Sequence, residues 1–314
     1  MYTYHWYQWL AFFYIYCFFG WIFESTYVSL RQKKFVNRGF LRLPMLPLYG
    51  TGAVMMLWVS LPVRDNLILV YISGVFAATA LEYVTGYAME RLFKVKYWDY
   101  SDQKFQLHGY ICLSSSIAWG FLTILLTEVI HQPIAHFVLG LHPVLLLTGD
   151  VITSIIFCAD AYESTKTALA LGKSLEALAK MQEEMDELRT RIAAIREEAS
   201  VYASAAREDA VERLYLMRKE AEERLADMRE DTIDRLITIR NETEERLDSI
   251  RESRKETLAA LEQRLEELGE KKHQTIHPKN RLGHFYRRNM LHGNPSVSST
   301  RFAEALKELK ERLE

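Results

Sequence analysis

The chain has 314 residues, 49% of them hydrophobic, with a formal net charge of −2. Charge this balanced gives no global argument for nucleic acid, and Cys17, Cys112 and Cys158 show no CxxC spacing that would suggest a disulfide framework or thiolate metal centre. The long apolar runs lie before Ala161 and most of the charge after Glu163, so the chain meets two environments.

A spanning helix needs roughly 20 apolar residues. About five segments qualify, at 6–29, 44–62, 67–90, 109–130 and 143–161, and none contains Lys or Arg. The first has neither a positive leader nor a small-residue cleavage site, so it reads as a span rather than a cleavable signal. Pro133 within 132–142 and Pro143 at its flank interrupt this segment, which is expected to be a short outer loop or re-entrant turn. The three cysteines, all inside apolar stretches, read as small buried hydrophobes.

Orientation follows from the loops. Arg31, Lys33, Lys34, Arg38 and Arg42 follow the first span, and Arg91, Lys94, Lys96 and Lys104 follow the third. The loop between the second and third has only Arg64. The positive-inside rule then puts the N-terminus outside and everything after the last span in the cytoplasm. Trp6, Trp9, Tyr97 and Trp98 fall where interfacial aromatic belts are expected.

Glu24, Glu82, Glu90, Asp150 and Asp160 lie within these spans or at their ends. A carboxylate in hydrocarbon costs about 2.5–3.5 kcal/mol even on the lenient insertion scale. Glu24, Glu90 and Asp160 sit near cytoplasmic ends, where they can snorkel or meet loop cations. Glu82 and Asp150 lie deeper, so each must be protonated, accept hydrogen bonds, bind a cation or face water. Glu24, Glu82 and Asp150 are the candidate intramembrane polar site. Gly74 and Ala78 form a small-xxx-small pair suited to helix packing.

Two inner-face segments are rich in special residues: FVNRGFLRLPMLPLYG at 35–50 and YWDYSDQKFQLHGYICL at 97–113. Asn37 and Gly39 suit a tight turn, Pro44 and Pro47 shape the start of the second span, and Arg38 is a natural carboxylate partner. Asn37, Arg38, Gly39, Tyr49, Gly50, Trp98, Asp99 and Tyr100 form the candidate inner-face motif. It either lines a pathway or shapes turns at the membrane surface.

The runs CFFGWIFESTYVSL at 17–30, KKFVNRGFL at 33–41, PLYG at 47–50, EYVTGYAMERLF at 82–93 and YWDYSD at 97–102, with Trp119–Gly120, occur in a specific order. Over about residues 5–162 the chain resembles the bacterial putative ABC-transporter permease family, type IV. It departs from the family pattern at Leu43, Gln106 and Tyr110. The resemblance implies an inner-membrane protein of permease type and no particular substrate.

From Glu163 to Lys272 there is no proline, and Ala, Leu, Glu and Arg favour helix. Leu178, Met181, Met185, Leu188, Ile192, Ile195, Ala199, Tyr202 and Ala206 follow a heptad rhythm. From Arg207 an eleven-residue repeat takes over, visible in Leu214, Leu225, Leu236, Leu247 and Leu258, and it predicts a nearly straight coil. Within it, acid-first i,i+4 pairs recur at Asp209–Arg213, Glu220–Arg224, Asp231–Arg235 and Glu242–Arg246. An unbroken helix here would reach roughly 165 Å. Its apolar stripe requires a partner: a second copy, another protein, or the chain folded back, although no strong break marks a hairpin. Gly172-Lys173-Ser174 is not a P-loop, because Thr167 stands where the first glycine belongs.

Residues 273–300 read as a linker, with Lys279, Arg281, Arg287 and Arg288 among His273, His277, His284 and His292. Anionic lipid or nucleic acid is a weak expectation there. A final helix at about 300–313 aligns Phe302, Leu306, Leu309 and Leu313 on one face.

The sequence therefore predicts an all-α chain: a polytopic membrane helix bundle of about five spans, N-out and C-in, followed by a long cytoplasmic coiled coil. The domains are a transmembrane domain at 1–162, a coiled-coil rod at 163–272 with eleven-residue repeats at 207–261, a basic linker at 273–299 and a short amphipathic helix at 300–314. No catalytic motif appears, and no catalytic residue, cofactor or metal is assigned. The expected function is a permease-type subunit for a polar or cationic solute. Any ATPase would be a separate chain. The alternative is a membrane-anchored scaffold that organises cytoplasmic partners. The expected partners are the lipid bilayer, a second copy through the coiled coil, and a separate ATPase or other cytoplasmic protein.

Overall fold

The fold is seen in a computed structural model. Its backbone is described for residues 4–223, 230–276 and 281–313, and the side chains of 210, 214, 217–218, 220–240, 242–243, 246–247, 281–284, 286 and 312–313 lie outside that description. The described residues are almost entirely helical. The helices are α1 (Trp6–Gln32), α2 (Pro47–Ser60), α3 (Leu67–Phe93), α4 (Leu113–Leu125), α5 (His131–Gly140), α6 (Pro143–Glu223), α7 (Glu230–Ile276), α8 (Arg281–Gly293) and α9 (Ala303–Leu313). Two short antiparallel strands, β1 (Gln106–Leu107) and β2 (Ile111–Cys112), form a hairpin before α4.

Local chemistry sets the helix ends. Pro47 occupies the first turn of α2, where a missing N–H costs nothing. The Asn66 side chain caps α3 by accepting from the Ile68 and Leu69 amides. Lys33 and Lys94 end α1 and α3 in left-handed conformations.

Three helical stretches are long and apolar enough to cross a membrane: Leu67–Phe93, Leu113–Gly140 and the start of Pro143–Arg213. Only 22% of the most apolar window of Leu67–Phe93 is buried against protein. Phe76, Phe121, Leu145 and Ile155 point outward. Such a surface requires an apolar solvent, so this is a membrane protein. α1 is long enough as well, but its Tyr and Trp residues and Glu24 lower its hydropathy. α2 continues through a 3-10 turn as a shorter apolar helix, Pro47–Val63.

Several expectations change. Residues 132–142 are not mainly a loop: helix continues to Gly140 through a π-turn at Leu126–Ile130. The π-turn has already shifted the hydrogen-bond register before Pro133, which lessens the proline's disruption. Tyr97 is buried against Phe40 and Phe93 rather than interfacial. Cys17 and Cys112 are buried, whereas Cys158 is exposed, because the apolar environment of an outward position on a span is the bilayer. Residues 273–299 are not a plain linker, since α7 extends to Ile276 and α8 occupies Arg281–Gly293.

The chain divides into two compact units, 1–177 with 276–314, and 178–275. The first is a bundle in which α1 packs on α2, α2 on α3 and α3 on α4. Phe12, Tyr16, Met56, Leu57, Leu126, Val138 and Leu146 form its core. Gly74 lies on the α3–α4 contact face, where a Cβ would overlap the Thr123 side chain, and Ala78 is buried in the core.

The second unit is not one continuous rod. Within it α6 and α7 run antiparallel: Gln182 accepts from Lys272 at 2.8 Å, Arg196 pairs with Glu262 at 2.8 Å, and Arg254 lies over Tyr202. The heptad stripe buries Leu178, Met185 and Ile192, with Leu268 from α7 also buried. Beyond Ile195 the stripe becomes exposed at Ala199, Tyr202 and Ala206. Asp209–Arg213 forms at 2.9 Å. The pairs Glu220–Arg224, Asp231–Arg235 and Glu242–Arg246, and most side chains of the eleven-residue repeat, lie outside the described residues.

Gly74→Val is expected to lower stability by about 1–3 kcal/mol through overpacking. Gly149→Ala, which meets nothing within 4 Å, should be neutral. Thermal unfolding of both variants in detergent checks this.

Candidate functional site

The site lies at the end of the bundle that carries the basic loops. α1 and α2 approach closely there because Gly20 and Gly50 face each other's helices. A Cβ on Gly20 would overlap Tyr49, and one on Gly50 would overlap Cys17. That approach sets the Tyr49 hydroxyl on α1, where it donates to Glu24 Oε1 at 2.7 Å. The other Glu24 oxygen faces Arg38 Nε at 3.6 Å.

Glu82 on α3 is buried, and three side chains serve its carboxylate. Tyr100 donates to Oε1 at 3.1 Å, while Trp119 at 2.9 Å and Ser115 at 3.3 Å donate to Oε2. These donors come from the second basic loop and from α4. Such a carboxylate has its lone pairs satisfied without a cation beside it, as burial requires. The Tyr100 hydroxyl titrates above its ordinary range, first because it is buried and then because the Glu82 carboxylate opposes a second negative charge.

The first loop is tied down from both sides. Trp21 on α1 donates to the Asn37 side-chain oxygen at 2.6 Å, and Asn37 donates to the Arg42 carbonyl at 2.9 Å. The Arg38 amide donates to Ser25, and Gly39 takes φ 143°, a conformation open chiefly to glycine. Asp160 on α6 accepts from the Arg42 and Leu43 amides at 2.9 and 3.0 Å. In the second loop Trp98 donates to the Tyr110 carbonyl, and the Tyr110 hydroxyl donates to Glu90 at 2.5 Å. Gln106 accepts from the Gly109 amide at 2.7 Å.

The chain's C-terminal segment docks on both loops. Arg38 donates to Asn294 Oδ1 at 3.0 Å and Ser296 Oγ at 3.2 Å, and Asn294 donates back to the Gly39 carbonyl at 2.8 Å. Lys96 and Ser298 exchange backbone hydrogen bonds at 2.8 and 3.0 Å, as one antiparallel bridge. Ser296 donates to the Tyr97 carbonyl and Ser299 to the Lys94 carbonyl. Burial alone would raise the Asp99 carboxyl. Hydrogen bonds from the Ser101 hydroxyl and amide, the charge of the Lys96 ammonium at 3.7 Å and a hydrogen bond from the Ser298 hydroxyl outweigh it and hold Asp99 below its ordinary 3.8.

The structure thus joins Glu24, Arg38, Tyr49 and the inner-face turn, and joins Glu82 to Tyr100. Asp150 stands apart. Its carbonyl accepts from Ser154, which itself accepts from Tyr14, and its Oδ2 is buried without a hydrogen-bond partner. Sequence reasoning missed Asn294, Ser296, Ser298 and Ser299, because an Asn-Pro-Ser run carries only a linker's composition. It also missed His131, held between Tyr16 at 2.9 Å and Tyr4 at 3.0 Å, and the Glu128–Arg64 pair at 3.8 Å.

Residues 11–165 match the family described as Putative ABC-transporter type IV, the family that the motifs at 17–102 resemble. No curated protein and no solved structure matches the chain.

Two outcomes are expected. Asn294→Ala removes the bonds to Gly39 and Arg38 and should weaken docking of the C-terminal segment by about 1–3 kcal/mol; faster proteolysis after α8 reports it. Because the folded Asp99 carboxyl lies below its unfolded value, its contribution is full above about pH 4. It is lost as pH falls through the folded value, and Asp99→Asn should remove that dependence. Hydrogen exchange at 294–300 across pH 7 to 3, corrected for intrinsic rate, measures it.

Proposed function

We propose that this chain, whose membrane half matches an ABC-transporter-related family, is a permease-type subunit that handles a polar or cationic solute. The observation that carries the reading is the pair of carboxylates on spans, Glu24 and Glu82, each held by a tyrosine hydroxyl. A charge in hydrocarbon is costly and tends to be kept for a task. Both phenols are rotatable donors, so a passing cation or hydroxyl-bearing solute can exchange places with them without stranding the carboxylate. Asp150, with an unpartnered buried oxygen, supplies a further polar position on α6.

In this reading α1 and α2 complete five spans, the N-terminus is outside and the basic loops face the cytoplasm of a bacterial cell. No nucleotide-binding motif is present in the sequence, so ATP hydrolysis would come from a separate polypeptide. A second reading, an anchored scaffold or a self-associating subunit, is favoured by the α6 stretch at 201–216. There Val201, Tyr202, Val211, Tyr215 and Leu216 are all more than half exposed. The molar mass of the full chain in detergent, with its co-purifying proteins, separates these two readings.

A deletion strain complemented with wild type, Glu24→Gln, Glu82→Gln or Asp150→Asn and scored for uptake across an array of cationic and polar solutes tests the transport reading. Glu82→Gln should lower uptake at least about ten-fold at equal expression. Wild-type uptake in all three variants would overturn the carboxylate mechanism.

A further inference from the structure

Between the first basic loop, α6 and α8 lies a cavity of about 570 Å³ that the carboxylate network does not use. Lys34 and Arg42 line it from the loop, Ser164 and Thr167 from α6, and Arg288 and His292 from α8. No carboxylate is among the described residues that line it. The nearby Asp160 is engaged with the amides of Arg42 and Leu43. At its wall Ser164 is 4% exposed, and its hydroxyl is buried without a hydrogen-bond partner. A buried donor left in this state in a cationic cavity is unusual for a native structure, where nearly all such groups are satisfied.

We propose that this cavity binds a phosphate ester, presented either by an anionic phospholipid headgroup or by a soluble phosphorylated molecule. The chemistry is complementary in three respects. The Arg288 guanidinium offers a planar fork that matches two phosphate oxygens, and the Lys34 ammonium adds a compact point charge. The Ser164 hydroxyl gains the acceptor that it lacks. The volume admits a headgroup-sized anion with some of its water. The loop bearing Lys34 directly follows α1, beside the outward-facing Leu30 and Phe35. That is where a headgroup would reach the cavity from the bilayer.

The site draws on both ends of the chain. Lys34 and Arg42 precede α2, whereas Arg288 and His292 belong to α8, which the Asn294 contacts hold against the loop. A ligand that bridges the two stabilises docking of the C-terminal segment, and docking in turn raises affinity for the ligand. The site is independent of the transport reading, because it uses neither Glu24 nor Glu82.

The test uses the full chain in neutral detergent, with three probes added separately: dioctanoyl phosphatidylglycerol, dioctanoyl phosphatidylcholine and inorganic phosphate. Thermal unfolding midpoints and native mass spectra are recorded for wild type, Lys34→Gln, Arg288→Gln and Ser164→Ala. Lys34 and Arg288 are exposed, so their loss leaves the packed core intact. Phosphatidylglycerol, inorganic phosphate or both should bind and raise the midpoint, and Lys34→Gln and Arg288→Gln should each weaken that binding about ten-fold. Binding of phosphatidylglycerol without inorganic phosphate assigns a lipid headgroup, binding of inorganic phosphate without phosphatidylglycerol assigns a soluble ligand, and binding of both assigns a site that reads the phosphate itself from either source. Equal effects of phosphatidylcholine and phosphatidylglycerol, no effect of either anion, or undiminished anion binding in Lys34→Gln and Arg288→Gln would overturn the proposal.

Discussion

A carboxylate on a membrane helix must be supplied with donors, and much of the basic end of this bundle is arranged around that demand. Glu82 receives three donors from two elements, and Glu24 receives a phenol and a guanidinium. To deliver them, α1 and α2 must approach closely enough to aim Tyr49, and the second loop must fold back to aim Tyr100. Glycines at 20 and 50 and the β1–β2 hairpin follow from those needs. The penalty for an unserved charge in a low dielectric is several times the gain from any single hydrogen bond, so these geometries are specified together.

Arg38 connects that arrangement to the rest of the chain. It touches Glu24 on one side and Asn294 and Ser296 on the other. One side chain therefore serves the Glu24 carboxylate on α1 and a segment more than 250 residues later. The loops have backbone carbonyls at Gly39, Lys94 and Tyr97 that no helix satisfies, and the Asn-Ser-rich run supplies donors to each of them. Short polar side chains suit this task because they reach backbone groups without needing an apolar face.

The long helices illustrate a limit of periodicity. The heptad stripe at 178–195 states that a partner helix is required, and α7 of the same chain provides it. A stripe is equally satisfied by a second copy, another protein or its own chain, because burial is non-directional. The absence of proline does not forbid a reversal, which needs only a few residues between helices. The change of rhythm near Arg207 falls close to where the stripe becomes exposed at Ala199 and beyond.

The sequence by itself determined the membrane character, the helical class, the basic loops, the acidic residues on spans, and the small-residue contact at Gly74. Each of these is a local property: a run length, a charge count or a spacing on one helix. Arg38 as a carboxylate partner was also legible, since a guanidinium in a loop beside acidic helix ends is a natural fork for a carboxylate. Only the tertiary structure decided that Tyr49 serves Glu24, that Tyr100, Ser115 and Trp119 serve Glu82, and that Asp150 stands apart. It alone turned a linker into α8 and a docked segment, and set α6 and α7 antiparallel in place of a single rod. Those outcomes depend on which distant groups meet, and hydrogen-bond donors carry no periodic signature that would announce their acceptors in advance.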